Sequence, residues 1–360
     1  MVNIIHGADF HLDSPFDGLS PEKARQRRNE QRETVMAMAE LAKERGADIV
    51  LLSGDLFDSD NAFYETTTML REVFASMEAE IFIAPGNHDY YSPGSPYRSV
   101  VWPENVHIFS SGRIECVELP EKNCRVYGAA FTGPTIHRSI LDDFRAEQDD
   151  MINLMVLHGD TAAVTDGYNP ISSENIGESG LDYLALGHIH RFSGILRRGA
   201  TDYAYPGCIE GRGFDELGDK GVIAGVVGKG RTELDFVPVC KRRYIDVSAD
   251  YSALLKGTAE IPAESEDIVR ITLTGERDGD TDRTMLEDML GGRFFQLVLR
   301  DRTTRRRDVW EFVREDSLRG MFLRDMREMY DAAQEDKKEL ILLAARYGLA
   351  AMENGEEPQL

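Results

Sequence analysis

The chain has 360 residues, 42% of them apolar, enough for one large domain and one or two small ones. Its formal net charge of −23 argues against a broadly basic nucleic-acid surface, the more so because residues 1–240 hold 38 acidic against 21 basic side chains. No apolar run reaches the roughly 18 residues of a membrane span, and the four cysteines form no C-x-x-C pair, which excludes a zinc knuckle or dithiol redox motif. With no signal peptide at the N-terminus, a soluble cytoplasmic protein with free thiols is expected.

Val2–Ile5 reads as a short strand running into Gly7-Ala8-Asp9-Phe10-His11. Asp and His two apart on an extended segment point the same way, as two ligands of one metal must. His6 sits just inside the strand end and is read as a core or supporting residue. Pro21–Arg45 is a polar-rich helix closing at Gly46, with Val35, Met36, Met38, Ala39 and Leu41 as its apolar face. Its cluster Arg25, Arg27, Arg28 and Arg32 is read as a solvated face.

Ile49–Leu52 is a buried strand ending in Ser53-Gly54-Asp55, where the glycine permits a sharp turn that frees the Asp55 carboxylate. A helix of about Asn61–Met77 comes next, started by the capping types Ser59, Asp60 and Asn61. Ile81–Ala84 is the next buried strand, leading into Pro85-Gly86-Asn87-His88-Asp89. The Asn87 amide oxygen suits a hard cation, and His88, projecting differently, is left for acid or electrostatic work. Tyr90–Arg98 is a loop at the mouth of the site.

Strands are expected at Val106–Phe109, Ile114–Leu119 and Arg125–Phe131, with His107 and His137 structural. Ile152–Leu157 delivers His158-Gly159-Asp160. Leu181–Leu186 delivers Gly187-His188-Ile189-His190, a His-x-His that puts both imidazoles on one side. Paired strands come after it at about Gly194–Leu196 with Asp202–Tyr205 and at Gly221–Val227 with Thr232–Val237, turning at Gly228-Lys229-Gly230. The stretch from Tyr205-Pro206-Gly207 to Gly221, rich in glycine and charge, reads as a surface loop.

Composition shifts near Lys241-Arg242-Arg243, dividing a first region over residues 1–240 from a small α/β unit over 241–301. That unit has strands at Asp267–Leu273 and Phe294–Leu299 around a helix at about Thr284–Leu290. Arg302–Arg307 reads as a linker. Asp308–Leu349 is helical in two or three pieces, within a helical segment 302–352 that carries the apolar stripe Leu318, Phe322, Met326, Met329 and Tyr330. Residues 353–360 are expected to be a disordered tail.

Five strand ends in this order account for five of the eight histidines, and together they describe one dinuclear metal site with Asp55 as the bridge. The set resembles the calcineurin-like metallophosphoesterase superfamily, an α/β fold in which a β-sandwich is flanked by helices. The resemblance implies one metal on Asp9, His11, Asp55 and His190 and another on Asp55, Asn87, His158 and His188. It implies a bridging hydroxide as nucleophile, His88 as acid and Asp89 as its orienting partner. The two divalent ions would be Mn²⁺, with Mg²⁺, Fe²⁺ or Zn²⁺ as alternatives. Arg98, Arg191, Arg212 and Lys220 are the basic residues nearest the mouth, and Arg191, Arg212, Lys220 and Asp58 are taken as substrate-binding.

Within the superfamily the chain is most similar to the SbcD-type nuclease subunit of DNA double-strand-break repair. The similarity rests on Gly54-Asp55-Leu56-Phe57, Gly86 to Asp89, His158-Gly159, Gly187 to His190 and Tyr205-Pro206-Gly207. It implies a small capping domain and C-terminal helices that hold an SbcC-type ATPase. The acidic charge balance adds the expectation that the subunit alone binds DNA weakly, a homodimer or that ATPase supplying the affinity. The chain departs at Asp58, where that branch has His, and at Cys208, where Ser is common. A stand-alone phosphodiesterase or phosphatase of small phosphoesters or nucleotides is the alternative. A non-catalytic subunit of a repair ATPase is a third reading, which the complete ligand set opposes.

Overall fold

The computed structural model of the chain describes residues 1–162, 167–277, 283–305 and 308–353. The chain forms two compact units: Met1–Val247 with Pro262–Arg270 and Leu290–Val298, and Ser248–Ile261 with Ile271–Met289 and Leu299–Leu360.

The first unit is built on two sheets. Strands β1 (Val2–Gly7), β2 (Ile49–Leu52), β3 (Glu80–Ile83) and β4 (Val106–Ile108) lie parallel in one of them. The second has the order β5-β6-β7-β8-β10-β9: β5 (Glu115–Leu119), β6 (Cys124–Gly128), β7 (Ile152–His158), β8 (Tyr183–Gly187), β9 (Leu196–Arg198) and β10 (Thr201–Ala204). Its inner strands β6, β7, β8 and β10 are parallel, and the edge strands β5 and β9 run against them. The hairpin β11 (Gly221–Gly228) and β12 (Arg231–Pro238) returns to complete the first sheet as β12-β11-β1-β2-β3-β4.

Strand alternation explains why these runs are apolar throughout. Ile4, Ile49, Leu51 and Phe82 of one sheet pack with Val126, Leu154, Val156, Tyr183 and Ala185 of the other, which makes the sandwich core. Their neighbours Ile5, Val50, Leu52, Ile81 and Ile83 face the opposite way, against Val35 and Met38 of helix α1 (Pro21–Glu44) and Leu70 and Phe74 of helix α2 (Tyr64–Ala75). On the far side of the second sheet, Met155, Leu157, Leu184 and Leu186 pack with Leu141 and with Ile176 of the short helix Ser173–Glu178. His6 is buried between the sheets, sharing hydrogen bonds with Tyr183 Oη (2.8 Å) and Ser53 Oγ (3.1 Å), and burial pushes its pKa down to about 3.

Several expectations need correction. The arginine face of α1 is not solvated throughout: Arg27 is fully buried, paired with Glu30 and Glu210 at 2.7 Å each, and Arg32 bonds Asp13 and Glu65. Helix α2 begins at Tyr64, not Asn61; its cap residue Phe63 makes no side-chain cap bond, and its N–H is held by Asp13 Oδ2 at 2.8 Å. The stretch 205–221 is a surface loop only in part, at Asp215, Leu217 and Asp219, which are exposed. Tyr205 through Gly211 is buried, as are Glu216 and Lys220, because the charges there are paired inside the fold.

Tyr244–Asp250, Ile268–Thr274 and Gln296–Asp301 form a three-stranded sheet in that order, the first of them unforeseen, with the helix Arg283–Leu290 before the last strand. In the second unit Thr304–Arg305 pairs with Glu276–Arg277 as a short parallel ladder, inside the stretch expected to be a linker. Arg306 and Arg307 lie outside the described residues, as does the expected tail from Asn354 onward. Helices Leu318–Ala332 and Glu335–Glu353 pack through Val309, Leu323 and Ala345. The apolar stripe is divided: Phe322 and Met326 lie against that core, whereas Leu318 and Met329 are 73% and 56% exposed. No helix among the described residues is long and apolar enough to cross a membrane. All four cysteines are free.

Candidate metal centre

The chain leaves its parallel strands in unusual backbone conformations. Asp9, His11 and Asp55 have φ of 54°, 45° and 51°, the left-handed region, and His188 has φ of 106°. Each costs of order 1–3 kcal/mol and persists only where surrounding bonds enforce it. Here the loop after β1 runs beside the loop after β2: Asp9 N–H donates to Gly54 O (3.1 Å), His11 N–H to Asp55 O (2.9 Å) and Leu12 N–H to Leu56 O (2.9 Å). His188 N–H donates to both carboxylate oxygens of Asp9, at 3.0 and 3.2 Å.

Three glycines allow these loops to meet. A Cβ on Gly54, whose φ is +84°, would lie 2.7 Å from His158 Nδ1; one on Gly86 would strike the Asp55 carboxylate, and one on Gly187 the Ser53 carbonyl. Gly187→Ala is therefore expected to cost about 1–3 kcal/mol from overpacking against backbone, and to weaken cation binding by moving β8 off β2. Thermal unfolding and calorimetric titration of the variant check this. A variant as stable as the parent would show that the backbone yields.

The side chains converge at one end of the sandwich. Asp9 and His11 follow β1, Asp55 follows β2, Asn87 and His88 follow β3, His158 ends β7, and His188 and His190 follow β8. His11 Nε2 and His190 Nε2 face each other at 3.2 Å, with Asp9 Oδ1 3.9 Å from His190 Nε2. Asp55 Oδ2 stands between two imidazoles, 3.7 Å from His11 Nε2 and 3.4 Å from His158 Nε2. Asn87 Oδ1 lies 3.0 Å from His158 Nε2. The His188 ring meets the His158 ring edge-on, centroids 5.2 Å apart, and tilts over Tyr168 at 4.9 Å. Three groups of donors lie close enough to share a cation: Asp9/His11/His190, Asp9/Asp55/His158 and His11/Asp58/His88.

This set fits divalent cations. Asp9 and Asp55 are buried to 0% and 1% exposure, and among the described residues neither is paired with lysine or arginine. Burial pushes the Asp9 carboxyl up to about 6 and the His11 and His188 imidazoles down to about 4. Burial also acts on Asp55, but His158, His11 and His88 outweigh it and hold that carboxyl below its usual range. Two buried carboxylates without a lysine or arginine partner, set among imidazoles, are what a borderline divalent ion neutralises, and the mixed N/O donors suit Mn²⁺, Fe²⁺ or Zn²⁺.

His88 is exposed, its ring edge-on to His11 at 4.9 Å, and its backbone N–H donates to Asp55 Oδ1 at 3.0 Å. Asp89 is fully buried, with its carboxyl raised to about 6 by burial. Its hydrogen bonds go to Gly86 N–H (2.8 Å), Phe57 N–H (3.1 Å) and Tyr97 O–H (2.5 Å), so it braces the turn that carries Asn87 and does not reach the His88 ring.

Of the residues expected at the substrate, Arg191 is exposed beside His190. Lys220 is buried and donates to His190 O at 3.1 Å. Arg212 donates to Asp58 Oδ1 (3.0 Å) and Glu216 Oε1 (3.1 Å). Asp58 accepts from His11 Nδ1 as well, at 3.1 Å, and burial is outweighed there so that its carboxyl is lowered. Cys208 is buried with its thiol on His190 O, and burial pushes its pKa well up. Glu216 escaped the sequence reading. It is buried, 2.6 Å from His190 Nδ1, and its carboxyl is strongly lowered because His190 and Arg212 outweigh burial. The one signal for it was an acidic residue shortly after Tyr205-Pro206-Gly207, within a stretch already rich in charge.

Comparison with known proteins bears on this geometry. The profile of the calcineurin-like phosphoesterase family matches residues 2–192. The chain is similar to the uncharacterized metallophosphoesterase YhaO of Bacillus subtilis (strain 168), 32% identical over 246 residues, covering 65% of this chain and 60% of that protein. It thus spans about three fifths of that relative's length. Among solved structures it resembles the crystal structure of TT1561 of Thermus thermophilus, with a TM-score of 0.40 and 13% identity over 66% of this chain and 99% of that one.

Proposed function

The chain belongs to the calcineurin-like phosphoesterase family, and from that premise we propose that it is a dinuclear-metal phosphodiesterase acting on DNA, the nuclease subunit of an SbcCD-like pair. The observation that carries the dinuclear part is Asp55 Oδ2 standing between His11 Nε2 and His158 Nε2. Asp9, His11, Asp55 and His190 would hold one cation, and Asp55, Asn87, His158 and His188 the other. Two divalent ions there, Mn²⁺ first and Mg²⁺, Fe²⁺ or Zn²⁺ as alternatives, would neutralise the phosphodiester and lower the pKa of a water for in-line attack. His88, exposed at the mouth and anchored through its backbone, donates a proton to the leaving oxygen. Arg191 and Arg98 are exposed and can meet the flanking phosphates.

The nuclease reading is supported by the five motifs in SbcD-type order and by a second unit after them. On that unit's last two helices Leu318, Met321, Met329 and Leu340 are 73%, 56%, 56% and 67% exposed, apolar surface of the kind an ATPase partner covers. The chain's acidity shapes the expected behaviour. DNA affinity comes mainly from Lys and Arg displacing counterions, and residues 1–240 hold 21 basic side chains against 38 acidic ones. The isolated subunit is expected to bind DNA weakly and only with metal, a homodimer or ATPase partner raising the effective concentration of the DNA end.

Fluorescence anisotropy with duplex and single-stranded DNA at two salt concentrations, with and without Mn²⁺, alongside cleavage assays, checks this. Nanomolar binding by the metal-free monomer at physiological salt would overturn the charge argument. The same acidity favours a second reading, a phosphodiesterase of small phosphoesters. Rapid hydrolysis of small diesters with no DNA cleavage, alone or with a partner, would establish it in place of the first.

A further inference from the structure

His11 and His190 face each other through Nε2, and each is backed by a carboxylate at its far nitrogen. His11 Nδ1 bonds Asp58 Oδ1 at 3.1 Å, and His190 Nδ1 bonds Glu216 Oε1 at 2.6 Å. A carboxylate at Nδ1 takes the imidazole proton there, leaves the lone pair on Nε2, and raises the basicity of that nitrogen toward a cation. The two carboxylates are in turn tied together. Arg212 reaches Asp58 through Nη1 at 3.0 Å and Glu216 through Nη2 at 3.1 Å, its own backbone N–H donates to Glu216 Oε2 at 2.7 Å, and the same Nη2 lies 3.2 Å from His190 Nδ1, farther than the Glu216 carboxylate that takes the Nδ1 proton. Each carboxylate places negative charge directly behind a ligand's Nδ1, partly offset by the Arg212 guanidinium and by the Lys220 ammonium on His190 O.

The neighbouring donor group is supported otherwise. His158 Nδ1 bonds the backbone carbonyl of Ser53 at 2.9 Å, and its nearest carboxylate on that side, Asp9, stands 4.0 Å away. A neutral carbonyl fixes the tautomer but adds no net charge. The two positions therefore differ in what backs their ligands as well as in the ligands, which include the carboxylate of Asp9 at one and the neutral amide of Asn87 at the other.

We infer that Asp58, Arg212 and Glu216 form a clamp that makes the two cation positions unequal, so that the position of Asp9, His11 and His190 fills first and more tightly. Arg212 is then a positioning residue that acts on metal ligands, not a phosphate-binding one. The aspartate at position 58 is one arm of the clamp. The inference rests on the proposed dinuclear reading.

The test is titration of the metal-free, full-length protein with Co²⁺, monitored by calorimetry and by the ligand-field absorption bands of the bound ion. The parent should show two steps, the tighter lost in His190→Ala and the weaker in Asn87→Ala. Glu216→Gln should weaken the tighter step about 10–100-fold and shift its absorption, leaving the weaker step in place. Asp58→Asn, at a more exposed side chain, should act on the same step through His11 and guards against a Glu216 variant that fails to fold. Two steps in the parent that neither variant changes, or variants that weaken the tighter and the weaker step equally, would overturn the clamp while leaving the dinuclear reading standing. A parent that takes up no Co²⁺ would overturn both.

Discussion

His88→Ala is expected to slow phosphodiester hydrolysis by about 10²–10⁴-fold, the usual contribution of a positioned proton donor, while both cations stay bound. The separation comes from where the residue sits. Its ring is exposed at the mouth, edge-on to His11 at 4.9 Å, whereas its contribution to the centre's framework is a backbone N–H on Asp55 Oδ1 that alanine retains. Asp55→Ala should behave differently, losing activity together with at least one cation, because its Oδ2 faces His11 and His158 at once. Calorimetric stoichiometry measured beside the hydrolysis of a chromogenic diester distinguishes the two. A His88→Ala protein that binds one cation fewer would make His88 a ligand, as the grouping of His11, Asp58 and His88 permits.

The largest effect on stability is expected at Glu210. Its carboxylate is fully buried and accepts from Arg27 Nη2 (2.7 Å), Thr34 Oγ1 (3.0 Å) and the backbone N–H groups of Lys241 (2.7 Å) and Arg242 (3.2 Å). Glu210→Ala would leave these donors short of an acceptor and the buried Arg27 guanidinium with one carboxylate, Glu30. Breaking a buried pair in this way costs about 3–5 kcal/mol, read as a lower urea midpoint at unchanged slope. A loss under about 1 kcal/mol, the range of exposed pairs, would mean that water or a neighbouring group replaces it. The network also gives the fold an acid limit. Burial tends to raise the Glu30 carboxyl, but hydrogen bonds from Arg242 and Arg27 outweigh it and hold the pKa below the ordinary 4.5. That contribution is fully present above pH 4.5 and is lost as pH falls through the lowered folded value.

The candidate centre could be read because its donor residues sit directly after buried strands. Runs such as Ile49–Leu52 and Ile152–Leu157 announce themselves by apolarity. A residue just past a parallel strand is presented at the sheet's carboxyl end, so Asp55 and His158 could be placed from the sequence alone. The hairpin at Gly228–Arg231 was equally plain. Interactions fixed by tertiary pairing could not be read in this way. Arg27 and Arg28 are adjacent and chemically alike, yet one is fully buried and the other only half-buried, and only the positions of Glu30 and Glu210 decide which. Charge in the 205–221 stretch suggested water, but Glu210, Glu216 and Lys220 find their partners inside the protein. Asp89, beside a histidine in sequence, turns its carboxylate to Gly86, Phe57 and Tyr97, a choice made by the turn and not by adjacency.

The joining of the two sheets at one set of ligands has a consequence for the order in which the chain can fold. The bond from His188 N–H to Asp9 spans 179 positions, and so does the His11–His190 contact. Contacts so distant in sequence close late, because the loop entropy must be overcome before they contribute. While the chain is being made, Asp9, His11, Asp55 and Asn87 emerge long before His158, His188 and His190. The early sheet therefore carries two carboxylates with no imidazoles from its partner to receive them. A cation arriving then meets half a site, and full affinity develops only when β8 docks beside β2 at Gly187. Cation uptake is thus a report that the long-range step of folding has finished.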